Sequence, residues 1–352
     1  MAPKSYTLKP YLHLSVALVL LTLISGCQLS YMTQSAYNHL KIMSQRKSIE
    51  KLLKNPDLPL DHRQKFELVI KIRPYIQDLG LNVTNNYKTY VDLKRPYVSY
   101  LLTVAPPYSI EPMTWKFPFV GEFPYKGFHN QNRADREALS YSQKNYDTYI
   151  RGVSAYSTLG WFNDPLLSSM LQYTEAQLIE TVIHESVHAT VFIKNNVEFN
   201  EQLAVFVARK ATLEYYKTQN DQAYEALLHT FADETLYFQF INKCLEQLTE
   251  FYQSKEHHTP EQKNLIFAKI QKQFKDDLLP QLQTSYFTKF SELPLNNAFF
   301  ASQKVYFENQ AHFENKYSEF QNIKDFIEFL KKEEKNLVEI FATFQTPEPS
   351  SL

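Results

Sequence analysis

Residues 184–188 read H-E-S-V-H, and that spacing is suited to metal chemistry. Residues four apart on a helix lie one turn above each other, so the imidazoles of His184 and His188 project from one face. Two ligands so placed suit a single tetrahedral Zn2+, and Glu185 beside them is within reach of a water at the metal. The neighbouring residues are those of a helix. Thr174-Glu175-Ala176-Gln177 has the form of a capping box, and Leu178, Ile179, Val182, Ile183 and Val187 supply a face to bury.

A catalytic zinc takes three protein ligands and leaves its fourth position to water. A histidine six residues after His188, with glycine at the third, is excluded because Lys194 and Val191 stand there, and the next histidine is His229. The remaining candidates are Glu198, Glu201 and Glu214. Glu198 is expected in a connection, where a ligand is hard to hold rigidly. Glu214 is expected more than three turns into the following helix. Glu201 falls in the first turn of that helix, with Asn200 as its expected N-cap, and is the expected third ligand.

The pattern of His184, Glu185 and His188 followed by Asn200-Glu201 resembles that of the gluzincin metallopeptidases. More closely, four segments resemble a family of bacterial predicted aminopeptidases: TWKFPFVGEFPYKGF (114–128), RGVSAYSTLGWFNDPLL (151–167), HESVHATVFIKNNVEFNEQLA (184–204) and LNNAFFASQKVYF (295–307). The resemblance implies a zinc peptidase acting on the N-terminal bond of a peptide substrate. In that reading Glu185 is the general base, and a donor such as Tyr156 or Tyr306 stabilises the oxyanion. Asn163-Asp164-Pro165 reads as a turn, with Asp164 meeting a substrate amine as the alternative. Two other readings stand beside the aminopeptidase. One is a zinc endopeptidase or amidohydrolase with the same centre; the other is a non-catalytic envelope lipoprotein with a structural metal. Glu185 argues against the last, because a structural site needs no base beside its ligands.

The elements that must position these residues are mostly helical. The chain has 352 residues, of which 44% are hydrophobic, enough for a substantial core; its 26 Phe and 24 Tyr against 6 Gly favour helices packed through aromatic rings. The formal net charge of −1 gives no basic footprint for nucleic acid. Helices are expected over 31–80 in two pieces, with Pro74 as a kink, then over 133–144, 220–254, 261–288 and 322–344. Strands are expected over 97–104, 115–120 and 148–155. Four of the six glycines and both tryptophans lie in this strand-bearing stretch, marking tight turns or close backbone approach; it is either an ordinary sheet with its loops or the wall of a cleft where an edge strand could bind extended peptide. The expected class is α+β, predominantly helical, with one small β-sheet next to the zinc-binding helix pair.

The N-terminus reads as a targeting segment. Lys4 and Lys9 precede an apolar run from Leu12 to Ile24, too short for a comfortable span. Ile24-Ser25-Gly26-Cys27 resembles the bacterial lipobox, which implies lipidation of Cys27 and anchoring to a membrane. Gln28 after it implies the periplasmic face of the outer membrane. With Cys27 lipidated, Cys244 has no intrachain partner and is expected as a buried thiol. The expected organisation is a signal peptide (1–26), an N-terminal helical segment (27–87), a zinc metallopeptidase core (88–217), a C-terminal helical region (218–345) and a tail (346–352).

Overall fold

The computed structural model describes residues 26–83, 85–117, 121–155, 163–194, 196–254, 258–304 and 311–342. The chain divides into two units, residues 1–46 and 47–352. In the first, helix α1 (Gly26–Ser44) is closed at its end by Arg46, whose Nε donates to Met43 O at 2.8 Å. Among the described residues no helix is long and apolar enough to cross a membrane.

The second unit begins with β1 (Lys47–Ser48), α2 (Ile49–Leu53) and α3 (Leu60–Asp78). Pro74 lies inside α3, yet the helix runs on to Asp78 and buries Phe66, Val69, Ile72 and Ile76. Strands β2 (Thr89–Val91), β3 (Ser99–Ala105), β4 (Trp115–Phe117), β5 (Gly121–Phe123) and β6 (Lys126–Phe128) follow. Next come α4 (Gln131–Ser142), β7 (Asp147–Val153) and β8 (Leu166–Leu167). The class is α+β and predominantly helical, and among the described residues the strands form three small sheets instead of one. Their orders are β1-β2-β8, β6-β3-β7 and β4-β5.

The central strand β3 is apolar on both sides because both faces of its sheet are covered. Tyr100, Leu102 and Val104 pack with Phe128 and with Ala134 and Ala138 of α4. On the other face Ala105 meets Ala298 and Ala301 of a later helix, and these small residues let helix and sheet approach closely. That helix lies in the segment 295–307. Its first residue, Asn297, is fully buried and locks it in place. Asn297 Nδ2 donates to Pro106 O and Pro107 O, each at 3.0 Å, and Tyr252 OH donates to Asn297 Oδ1 at 2.7 Å. The backbone N–H of Asn297 donates to Asp147 Oδ2, itself paired with Lys263 at 2.6 Å. With every polar atom of its side chain engaged, the buried amide carries no desolvation penalty.

The helical remainder comprises α5 (Glu175–His188), α6 (Val197–Gln219), α7 (Asp221–Gln253), α8 (Pro260–Gln273) and α9 (Asn297–Lys304), then α10 (Ala311–Tyr317), α11 (Ile323–Lys332) and α12 (Leu337–Ala342). Two expected helices are interrupted. The 261–288 helix ends as α8; a wide π turn at Phe274–Leu278 puts Phe274 and Leu278 into the aromatic core, and Pro280 then stops the helix. The 322–344 helix breaks at Glu333. The break turns Phe341 of α12 against Phe313 and Phe199, with ring centroids 4.8 and 5.7 Å apart, while Phe326 of α11 packs on Phe206.

Candidate metal centre

Helix α5 starts at a capping box. The Thr174 side chain accepts from Gln177 N at 3.2 Å, and Gln177 Oε1 accepts from Thr174 N at 3.0 Å. One side of α5 is dry: Leu178, Ile179, Val182, Ile183 and Val187 are at most 2% exposed. α3 fastens to this region from behind, with Lys65 Nζ donating to Tyr173 O and Tyr75 OH donating to Ala211 O of α6, both at 2.7 Å. With that side fixed, the other side carries His184 in partial contact with solvent and His188 more deeply buried.

The connection from α5 to α6 is held at both ends. Asn82 N donates to Thr190 Oγ1 at 2.7 Å, and Thr190 Oγ1 donates to Ser186 O at 2.6 Å, closing the end of α5. The N-cap of α6 is Asn196, whose side chain accepts from Phe199 N, and not Asn200 as expected. Asn200 lies inside the first turns and is buried. Its Oδ1 accepts from Ile193 N at 2.8 Å and its Nδ2 donates to Ile193 O at 2.7 Å, so it pins the connection to the helix carrying Glu201.

This brings three of the candidate residues together. His184 Nε2 and His188 Nε2 are 3.1 Å apart, and each lies 3.5 Å from one Glu201 oxygen, Oε2 for His184 and Oε1 for His188. The nitrogen-to-oxygen separations are long for hydrogen bonds. They match the face of a tetrahedron instead, since zinc bonds of about 2.0–2.1 Å set ligand atoms roughly 3.3–3.4 Å apart. The residues present therefore fit a cation, and among the described residues His184, His188 and Glu201 form the one group able to hold a metal ion.

The electrostatics are consistent with that fit. Burial opposes ionisation of Glu201, but contacts with His184 and His188 overcome it and hold the carboxyl well below the usual range. Burial acts against protonation of His184, yet Glu201, Glu185 and Glu180 around it raise its pKa overall. Glu185 is 8% exposed; burial raises its pKa, the two histidines partly offset this, and the Glu201 and Asp164 carboxylates add to the rise. A carboxyl so placed can hold a proton and release it.

Of the other candidates, Glu198 and Glu214 lie elsewhere, whereas Asp164 is near enough for its carboxylate to act on Glu185. Glu198 sits in the first turn of α6 and is exposed, not in a connection. Glu214 accepts from Tyr317 OH at 3.0 Å and from Ile323 N at 2.9 Å, anchoring the start of α11 far from the triad. Asp164 is buried before β8. Its N–H donates to Asn86 Oδ1 at 2.9 Å, and its carbonyl accepts from Tyr87 N at 2.7 Å. Tyr87 makes that bond at φ 60°, a left-handed conformation uncommon outside glycine. Tyr156 and Tyr306 lie outside the described residues, and nothing is described of the Cys27 side chain.

Sequence reasoning passed over three charged residues beside the helix pair: Glu180 one turn before His184, Arg209 two turns beyond Glu201, and Glu234 of α7. Arg209 of α6 pairs with Glu234 of α7 and lies 3.7 Å from Glu180 of α5. The Arg209 guanidinium is bracketed by the rings of Phe231 and Phe238, 5.3 and 5.4 Å from their centroids. The available signal was the position of Glu180, four residues before His184 and so on its face. Burial pushes the Glu180 carboxyl up to about 7, with Arg209 opposing the rise and Glu234 adding to it.

Comparison with known proteins supplies one match. The family described as "Putative aminopeptidase" matches residues 30–340 of the chain. No curated protein and no solved structure matches it.

Proposed function

The chain belongs to that family, and on this premise we propose that it is a zinc-dependent aminopeptidase. The observation carrying the proposal is the cluster in which His184 Nε2 and His188 Nε2, 3.1 Å apart, each stand 3.5 Å from a different oxygen of the Glu201 carboxylate, with buried Glu185 next to it in sequence. His184, His188 and Glu201 would hold the ion. Bound there, zinc supplies Lewis acidity, lowering the pKa of a water and polarising the scissile carbonyl.

The protein's own part follows from its packing. The dry side of α5 fixes the two imidazoles, and Asn200 fixes the carboxylate opposite them. Glu185 takes the proton of the attacking water and returns it to the departing amine. We also propose, from the segment ending in Cys27-Gln28, that a lipid on Cys27 holds the enzyme at the periplasmic face of the outer membrane.

Metal analysis together with turnover of one peptide in free-amine and N-acetylated forms tests this reading. Wild type is expected to carry one zinc and to cleave the free-amine peptide. Glu185→Gln is expected to keep the zinc and lose at least about 100-fold in kcat. Bound zinc without turnover of either peptide contradicts a peptidase, and equal turnover of both removes the preference for a free N-terminus.

A further inference from the structure

The metal triad does not end the polar stripe of the α5–α6 pair. His184 and Glu201 keep 20% and 24% of their side-chain surface accessible; Glu180, one turn before His184 on α5, keeps 25%, and Arg209, two turns beyond Glu201 on α6, keeps 16%, with Glu234 of α7 at 13%. These partly accessible side chains therefore follow one another along the helix pair. We propose that Glu180 and Glu234 form the anchor for the substrate's free α-ammonium group, with Arg209 holding the two carboxylates in place. The inference rests on the peptidase reading above and names the residues that would make it an aminopeptidase.

Charge and distance both point this way. Two carboxylates share one guanidinium in a largely buried place, so with both ionised the trio is one positive charge short, and a bound ammonium completes the balance. The Arg209 cation cannot serve both fully: it pairs closely with Glu234 but stands 3.7 Å from Glu180, beyond a good hydrogen bond. Glu180 therefore has acceptor capacity left for an N–H donor. It lies four residues from His184, about 6 Å along the helix axis. In a peptide the α-nitrogen is two bonds from its own carbonyl carbon, about 2.5 Å. A carbonyl placed at the triad thus brings its ammonium within hydrogen-bond reach of a carboxylate one helical turn away. A longer N-terminal extension would have to pass the same three charged side chains, so the trio also disfavours internal bonds.

Binding of an amino-acid hydroxamate with a free α-amine, compared with its N-acetylated form, tests the assignment by calorimetry on the zinc-loaded protein. Both probes carry the same chelating group and differ in the ammonium alone. Wild type is expected to prefer the free amine by about 10- to 100-fold, the range of a charge-assisted hydrogen bond. Glu180→Gln and Glu234→Gln, near-isosteric and checked for unchanged zinc content, are expected to reduce that preference to within about 3-fold. If wild type shows the preference and both variants keep it, the anchor lies elsewhere, the assignment is overturned and the aminopeptidase reading stands. Equal binding of the two probes by wild type also overturns the anchor, while peptide turnover separately decides whether the protein is a peptidase.

Discussion

Asn200→Ala removes the two hydrogen bonds that tie the α5–α6 connection to the helix bearing Glu201. The side chain is 2% exposed, so water cannot replace it without a rearrangement; its loss leaves Ile193 N–H without its partner and Ile193 C=O with only the Asn196 N–H at 3.3 Å. At about 1 kcal/mol for each neutral hydrogen bond the cost is about 2 kcal/mol of stability. With unfolding entropy near 2.1 cal/mol/K per residue over roughly 300 residues, this lowers Tm by about 3 °C. The functional consequence is larger in proportion. Residue 193 lies in the connection between His188 and Glu201, so loosening it lets the Glu201 carboxylate move away from the two imidazoles. A residue supporting a ligand in this way is worth about 10-fold or more in metal affinity. The assay is a zinc titration against a competing chelator, with thermal unfolding of the metal-free protein alongside. Asn200→Asp is the discriminating control: it keeps the acceptor for Ile193 N but sets a buried carboxylate against the Ile193 carbonyl oxygen, and that repulsion puts it at or below Asn200→Ala in zinc affinity. Wild-type zinc affinity together with an unchanged metal-free Tm in Asn200→Ala would refute the reasoning.

Three further outcomes follow from the packing. Glu214→Ala loses the acceptor for Tyr317 OH and Ile323 N and is expected to cost about 2–3 kcal/mol in urea unfolding, with zinc stoichiometry unchanged, whereas Glu201→Ala lowers zinc affinity. In Gly152→Ala the added Cβ overlaps the Tyr97 ring, at an expected cost of about 1–3 kcal/mol read as a lowered Tm, and Tyr97→Ala in the same chain recovers part of the loss. Burial raises the Cys244 thiol pKa to about 12, so with Cys27 replaced the native protein at pH 8 does not react with a thiol reagent and the denatured protein does.

Much of the site was legible because it is local. A capping box, an apolar side and two histidines at i and i+4 are all contained in residues 174–188, and each has its own physical signature. The fold class followed from glycine scarcity and helical periodicity. Less legible was whatever depends on distant partners. Asn200 is a residue type suited to a cap, and only the three-dimensional placement of Ile193 and Asn196 shows that Asn196 caps while Asn200 pins. The 322–344 stripe reads as one helix because both halves are apolar at helical spacing; the break at Glu333 reflects where Phe199 and Phe313 stand, which no local pattern encodes. The same holds for Asn297, whose buried amide draws partners from residues 106, 107 and 252. The Glu180–Arg209–Glu234 trio spans three helices, so spacing along the chain places Glu180 on the face of His184 but gives no sign of its partners Arg209 and Glu234.

The measurement closest to the central claim is the rate of free-amine peptide hydrolysis as zinc is added back to chelator-stripped protein. The account predicts no turnover at zero zinc, a linear rise and a plateau at one equivalent per chain, with His184→Ala and Glu201→Ala failing to reach it at the same zinc. Turnover that survives complete removal of metal, or a plateau that these two variants reach unchanged, would contradict it.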